Sequence, residues 1–427
     1  MSAVLDQIVG AVEQIHADLI RRGGKEIDPN KGREGMTAEQ VLRVLVVKQM
    51  NAFSYEDLAF HLADSTTYRS FCRFGIGENT PTKSALQKNL KCVSAETWEA
   101  IHRKVVLYAA AHGVEAGKTM RTDCTVVASN IHHPTDSSLL WDSVRVLVRK
   151  MSEAREHFGL DFTDHSRRAK RRALGILNAK SEQQRRPLYR DLLHVTEKTV
   201  RSAERIAGEL DALSAKGGTV FTLSKEIRHF IGLTNRVMAQ TKRRVLEGDP
   251  VPAGEKVVSI FEPHTDILVK DRRETLYGHK VCLTGGASGL VSDAVIENGN
   301  PADSTLAVKM VQRQCEIYGK PPRQVTFDGG FTSRSNLGFI KDLGVEDVAF
   351  SKHGNLQIME MVKSPWVYRR LRNFRAGIEG TISFLKRVFG LGRCTWSGFG
   401  SFKAYVFGSV LACNLLVVAR HLIDACR

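Results

Sequence analysis

The sequence predicts an α/β protein that opens with an all-helical region and carries a second, basic helical block among its strands. Three observations predict this. Up to about residue 116, apolar residues recur every three or four positions. From Lys118 the pattern turns to β-branched runs, and between about 138 and 250 helical periodicity returns. Beyond 251 short strands resume, then alternate with helices, the order that favours parallel strands packed on helices.

Charge sets the class of partner. Sixty-two Lys and Arg against forty-six Asp and Glu leave +16 over 427 residues. Polyanions are the natural ligands, with nucleic acid ahead of an anionic membrane surface. The eight Cys show no CxxC pair, so they read as free thiols of a reducing compartment without a zinc site. The N-terminal stretch carries Asp6 and Glu13 with no basic lead-in and is not expected to be a signal peptide. The most apolar run, residues 404–419, is shorter than the ~20 residues a membrane span needs. It also contains Asn414, so it is expected to be a buried C-terminal helix, and no membrane is implied.

Residues 1–20 predict one amphipathic helix, followed by a polar linker at 21–35. Thr37 with Gln40, and Ser54 with Asp57, have the spacing of N-terminal caps. A short helix at TTYRSFCRF, a Gly/Pro turn and a basic helix with Lys83, Gln87, Lys88 and Lys91 follow. That order resembles a helix-turn-helix reader, although a helical bundle with a solvated charged face fits as well. Ser94 caps a helix running to about His112. KTMRTDCTVVASNI is then a strand, with Pro134 expected to end it, and it places one carboxylate, Asp123, among uncharged neighbours. An acid there is costly unless it is paired or holds a metal; capping the next turn is the plainer role.

The block from 138 to 250 is helical and dense in cations. Arg167, Arg168, Lys170, Arg171, Arg172, Arg185 and Arg186 fall within one or two helices, which suits a phosphate-tracking surface. Residues 257–298 read as short antiparallel strands beginning at VVSIF and holding Asp266, Asp271, His279 and Lys280. From 303 to 352 the order is helix, strand, helix, strand. RQVTFDGGF ends its strand at Asp328, where Gly329-Gly330 leave room for close approach.

Residues 368–390 form a helix with two stripes. Phe374, Ile378, Ile382, Leu385 and Phe389 make the apolar one; Arg375, Glu379 and Lys386 share another face. Such a charged triplet suits a metal beside a phosphate backbone, or an exposed salt-bridge ladder. Gly377 and Gly380 flank the glutamate and are expected to admit DNA or a neighbouring strand. Asp123, Asp328 and Glu379 together supply the oxygen ligands that two hard divalent cations need for in-line phosphodiester displacement. GxSxG, P-loop and HExxH patterns are absent.

These segments resemble the DDE transposases of bacterial insertion sequences, and NIHHPTDSSLL resembles an ISNCY-like subgroup. RTDCTVV resembles the strand of the family's first Asp and VTFDGGF the strand end of its second. RAGIEGTISFLK resembles its Tyr-Arg-Glu-Lys pattern in the last three members, with Arg372 where the Tyr is expected; Tyr368 lies nearby at a different spacing. The resemblance implies an RNase H-like mixed sheet with flanking helices, divided as 1–116 (helical DNA-binding domain), 117–137 and 251–427 (catalytic domain) and 138–250 (helical insertion). It implies Asp123, Asp328 and Glu379 as catalytic metal ligands for two Mg²⁺, with Mn²⁺ as substitute. Arg375 and Lys386 would contact phosphates flanking the scissile bond, and Lys83, Lys88, Arg167, Arg168 and Arg171 would bind DNA elsewhere. Double-stranded DNA at the element ends and target, a homodimer on that DNA, and a cytoplasmic, nucleoid-associated location complete the expectation. His132, His133, Asp136, His279 and Lys280 are expected to be structural. The alternatives are a decayed or domesticated DNA-binding regulator and an RNase H-like nuclease of another nucleic acid.

Overall fold

The computed structural model describes residues 1–8, 10–21, 35–75, 77–213, 218–270, 274–352 and 354–425. Most of the expected linker (22–34) and Asp271 lie outside the described residues. The chain divides into one unit of Met1–Ser129 with Gly278–Arg427 and a second of Asn130–Tyr277.

The helix expected over 1–20 is two, α1 (Ser2–Gln7) and α2 (Ala11–Ile20). Gly10, at φ 74°, caps α2 and breaks the run. In α3 (Ala38–Met50), Thr37 and Gln40 bond each other's backbone N–H in a reciprocal cap, as Ser54 and Asp57 do at α4 (Tyr55–Asp64). There follow α5 (Thr66–Phe71), α6 (Lys83–Leu90) and α7 (Ala95–Ala111), the last capped by Ser94. Strand β1 (Thr119–Ala128) ends well before Pro134. Its last residue donates to Gly392 O and accepts from Cys394 N, so a partner segment and not the proline marks its end.

The second unit is built on α8 (Asp136–Phe158), α9 (Ser166–Asn178), α10 (Glu182–Ala212) and α11 (Gly218–Thr241). Leu140, Val144, Leu147 and Met151 of α8 meet Leu192, Ala203 and Ile206 of α10 and Ile227 and Val237 of α11 in its own core. Strand β2 (Asp266–Lys270) closes the unit. This unit takes in residues 251–277, which the sequence pattern had joined to the catalytic region. The strand expected at VVSIF is not one. The Gln240 side chain of α11 bonds both N–H and C=O of Val257, doing what a neighbouring strand would do.

The remaining elements are β3 (Glu274–Gly285), β4 (Val291–Ile296), α12 (Ala307–Tyr318), β5 (Gln324–Phe327), α13 (Arg334–Asp342), β6 (Asp347–Phe350), α14 (Ile358–Met361), α15 (Pro365–Val388) and α16 (Phe399–Ala425). In the first unit the strands run β4-β3-β1-β5-β6. β3 is antiparallel to both β4 and β1, whereas β1, β5 and β6 are parallel. The result is a mixed sheet with helices against it.

By length and composition α16 is apolar enough to cross a membrane, yet two thirds of its most apolar window is buried inside the protein. Asn414 explains the polar residue within it. Its amide donates to Val291 O at 2.7 Å and accepts from Val291 N at 2.9 Å, docking α16 on β4. Residues of α3, α7, α16, β1 and β3 share a single hydrophobic core, so the N-terminal helices and the sheet form one unit and not two.

Candidate active site

Strand register brings the first two carboxylates together. β1 and β5 run parallel with Thr122 opposite Phe327, so the next residues along the two chains are Asp123 and Asp328. Asp328 follows the last residue of β5, at the carboxyl end of a parallel strand. The third carboxylate comes from α15, which packs across β1 and β5. Arg121 of β1 anchors that helix: its guanidinium donates to Phe374 O at 3.0 Å and lies 4.7 Å from the Phe374 ring centroid.

The glycines beside Glu379 have different surroundings. A Cβ on Gly377 would stand 1.8 Å from Arg121 Nη1, whereas one on Gly380 would meet nothing among the described residues within 4 Å. The group that approaches Gly377 is thus the side chain of a neighbouring strand. At the other end of the site, the stem of Lys352 packs on Gly329 and the Asp303 carboxylate on Gly330.

All three carboxylates address one guanidinium. Arg375 Nη1 lies 3.4 Å from Asp123 Oδ2 and 3.8 Å from Asp328 Oδ1, and Nη2 lies 2.6 Å from Glu379 Oε1. Three negative charges against one positive leave the cluster formally at −2. Burial pushes the Asp123 carboxyl up to about 6; Asp328 and Glu379 add to the shift, while the Cys124 N–H and Arg375 oppose it. Burial acts on Asp328 too, but the Ser351 hydroxyl, the Gly329 N–H and the charges of Arg375 and Lys352 hold it below the usual carboxylate range. Ser351 Oγ donates to Asp328 Oδ1 at 2.7 Å. Lys386 lies half-buried on α15, seven residues and about 10 Å of helix beyond Glu379.

As donors, three carboxylates suit a hard divalent cation. In this arrangement they converge on Arg375, and among the described residues no three His, Cys, Asp or Glu side chains are set as a metal cage. The residues fit such an ion by chemistry and charge, with the guanidinium standing among them.

The other expected site residues lie apart from this cluster. Lys83 pairs with Glu56 at 2.9 Å on the surface of the N-terminal helices, and Lys88 is exposed on the same helix. In the second unit Arg168 and Arg172 both bind the Asp191 carboxylate, and Arg186 donates to Leu246 O at 2.7 Å. Arg167, Lys170 and Arg171 are exposed. Tyr368 does not stand in for a Tyr at 372, because its hydroxyl donates inward to Phe350 O. His132 approaches Asp142, Asp136 pairs with Arg244, His133 meets the Tyr277 ring, His279 is buried against Phe399 and Phe402, and Lys280 pairs with Asp303. The sequence reading missed Arg121, Ser351 and Lys352. Only Arg121 left a signal, as a cation two residues before the half-buried acid of its own strand.

Two family models match the chain: a Transposase DDE domain over residues 267–415 and a Transposase domain (DUF772) over residues 2–92. No curated protein and no solved structure matches it. The DDE span includes Asp328, Arg375, Glu379 and Lys386 and leaves Asp123 outside. Fold and matches together define a DNA-cleaving, strand-transferring enzyme with an RNase H-like catalytic fold. The chain belongs to the DDE transposases of insertion sequences. Enzymes of this family act on DNA and use divalent metal ions.

Proposed function

We propose that this transposase binds the terminal inverted repeats of its element, cuts there with water as nucleophile, and joins the freed 3′-hydroxyl to target DNA. Asp123, Asp328 and Glu379 are the catalytic ligands of two Mg²⁺, with Mn²⁺ as substitute. The metal supplies activation of the attacking oxygen and stabilisation of the leaving one. Arg375 neutralises part of the carboxylate charge in the free protein, and with Lys386 contacts phosphates beside the scissile bond. The observation that carries this reading is the meeting of three carboxylates from β1, β5 and α15 at one guanidinium.

Residues 1–116, with Lys83 and Lys88, serve as the end-binding region, and the basic block at 138–250, with Arg167, Arg168 and Arg171, as a further DNA surface. Each element has two ends, which favours a homodimer on DNA. Its place of action is the cytoplasm, at the nucleoid. In an assay on duplexes carrying the DNA that flanks the gene, Asp328→Ala abolishes Mg²⁺-dependent cleavage and leaves end binding intact. Retained cleavage would sink the assignment.

A further inference from the structure

Beside the carboxylates, on the Asp328 side, the first unit holds a cleft of about 710 Å³ walled by Ser351, Lys352, Ile358, Pro365, Tyr368, Arg369 and Arg372. Three of the seven are cations, all exposed, and among the described residues none of the three forms an ion pair with a carboxylate. The cleft adjoins the cluster at Ser351, which lines it and hydrogen-bonds Asp328.

Its cations are placed by the fold. The stem of Lys352 rests on Gly329, where a Cβ would come within 2.9 Å of it. Arg369 and Arg372 lie three residues apart on α15 and share a face, with Arg372 over the Tyr368 ring at 6.0 Å from its centroid. Because the Tyr368 hydroxyl is turned inward to Phe350 O, the donors offered to a ligand are the two guanidiniums and the ammonium. Guanidiniums suit the paired oxygens of a phosphodiester.

Distance sets which phosphates these are. A rise of 1.5 Å per residue puts Arg372 about 10 Å and Arg369 about 15 Å before Glu379 along the helix. At about 3.4 Å per nucleotide on one strand, that is roughly three to four nucleotides from the scissile phosphate.

We propose that the cleft is a phosphodiester-binding site, in which Lys352, Arg369 and Arg372 hold the backbone of the DNA strand leaving the carboxylate cluster. The inference rests on the proposed cleavage at Asp123, Asp328 and Glu379, and it gives Arg372 a role at the position where a tyrosine was expected.

The test is a salt titration of binding to a short duplex carrying the DNA that flanks the gene. It compares wild type, Arg372→Lys, Arg372→Ala and the double variant Arg369→Ala/Arg372→Ala, with thermal unfolding checked for each. Each lost phosphate contact lowers the slope of log K against log salt by about 0.9. The single Ala variant is expected to lose about one such step and the double variant about two, while Arg372→Lys keeps the wild-type slope. Neutral methylphosphonate linkages about three and four nucleotides from the mapped cut should reproduce the double variant's loss in wild type and cost the double variant nothing further. A double variant with the wild-type slope and normal unfolding overturns the proposal while leaving the proposed function standing. A flat response in wild type overturns the DNA reading and this proposal with it.

Discussion

Gly377→Ala tests how Glu379 is held over the sheet. The added methyl would lie 1.8 Å from Arg121 Nη1 and 2.6 Å from Cζ. A free arginine head would swing away at little cost, but this one is buried, donates to Phe374 O at 3.0 Å and stacks on the Phe374 ring. Moving it forfeits a hydrogen bond from a charged donor, about 1.5–3 kcal/mol, and a cation–π contact of about 0.5–2 kcal/mol. Alanine in place of glycine within a helix returns about 1 kcal/mol. The expected net is a destabilisation of about 1–4 kcal/mol, together with loss of activity as α15 shifts and carries Glu379 with it. Gly380→Ala, at the residue immediately after Glu379, meets nothing among the described residues within 4 Å and should stabilise by about 1 kcal/mol. Urea unfolding of both variants, and of Gly377→Ala in an Arg121→Ala background, measures the difference. In that background the Gly377 change should behave like Gly380→Ala, because the atom it strikes is gone. If Gly377→Ala is as benign as Gly380→Ala in the native background, the anchoring of α15 by Arg121 is wrong.

Two other outcomes follow from the same geometry. The carboxylate cluster carries a formal −2 before any metal binds, so millimolar Mg²⁺ or Mn²⁺ without DNA should raise the unfolding temperature of wild type, by an amount equivalent to about 2.7 kcal/mol at a hundredfold excess over Kd. An Asp123→Ala/Asp328→Ala protein should show no such rise, and an equal rise in both would place metal binding elsewhere. In the second unit, Arg168→Ala should lower stability by leaving Asp191 with Arg172 alone, whereas exposed Arg171→Ala should leave stability unchanged and weaken DNA binding at low salt; reversed effects would mean that the exposed face of α9 is not the DNA-facing one.

Local features were the most legible in the sequence. The caps at Thr37, Ser54 and Ser94 satisfy N–H groups within three residues, so spacing alone reveals them. The long helix around Glu379 was visible from its apolar stripe, of which Ile378, Leu385 and Phe389 are fully buried. Asp123 was conspicuous as an acid within an apolar strand. What periodicity could not show was that Thr122 and Phe327, about two hundred positions apart, are neighbours in register, and therefore that Asp123 meets Asp328. Periodicity put Arg375 on a helix surface; it could not show that its largely buried side chain pairs with all three carboxylates. VVSIF looked like a strand because its β-branched residues are buried, but a glutamine side chain takes the ladder's place. The N-terminal helices looked separate because their pattern is self-contained. Their union with the sheet depends on α16, whose apolar surface is buried on nearly every side.

Asp123 is the member of the proposed triad that lies outside the matched DDE span and is brought to it by strand register and the Arg375 contact, so it bears the most direct test. The measurement is single-turnover cleavage of a duplex carrying the gene's flanking DNA, with Mg²⁺, by wild type and Asp123→Asn, alongside binding of the same duplex. A ligand to the catalytic metals should cost more than the roughly 10–100-fold that changes to outer-shell partners cost. The expected result is a loss of cleavage beyond that range with binding unchanged. Cleavage by Asp123→Asn within a few-fold of wild type would contradict it.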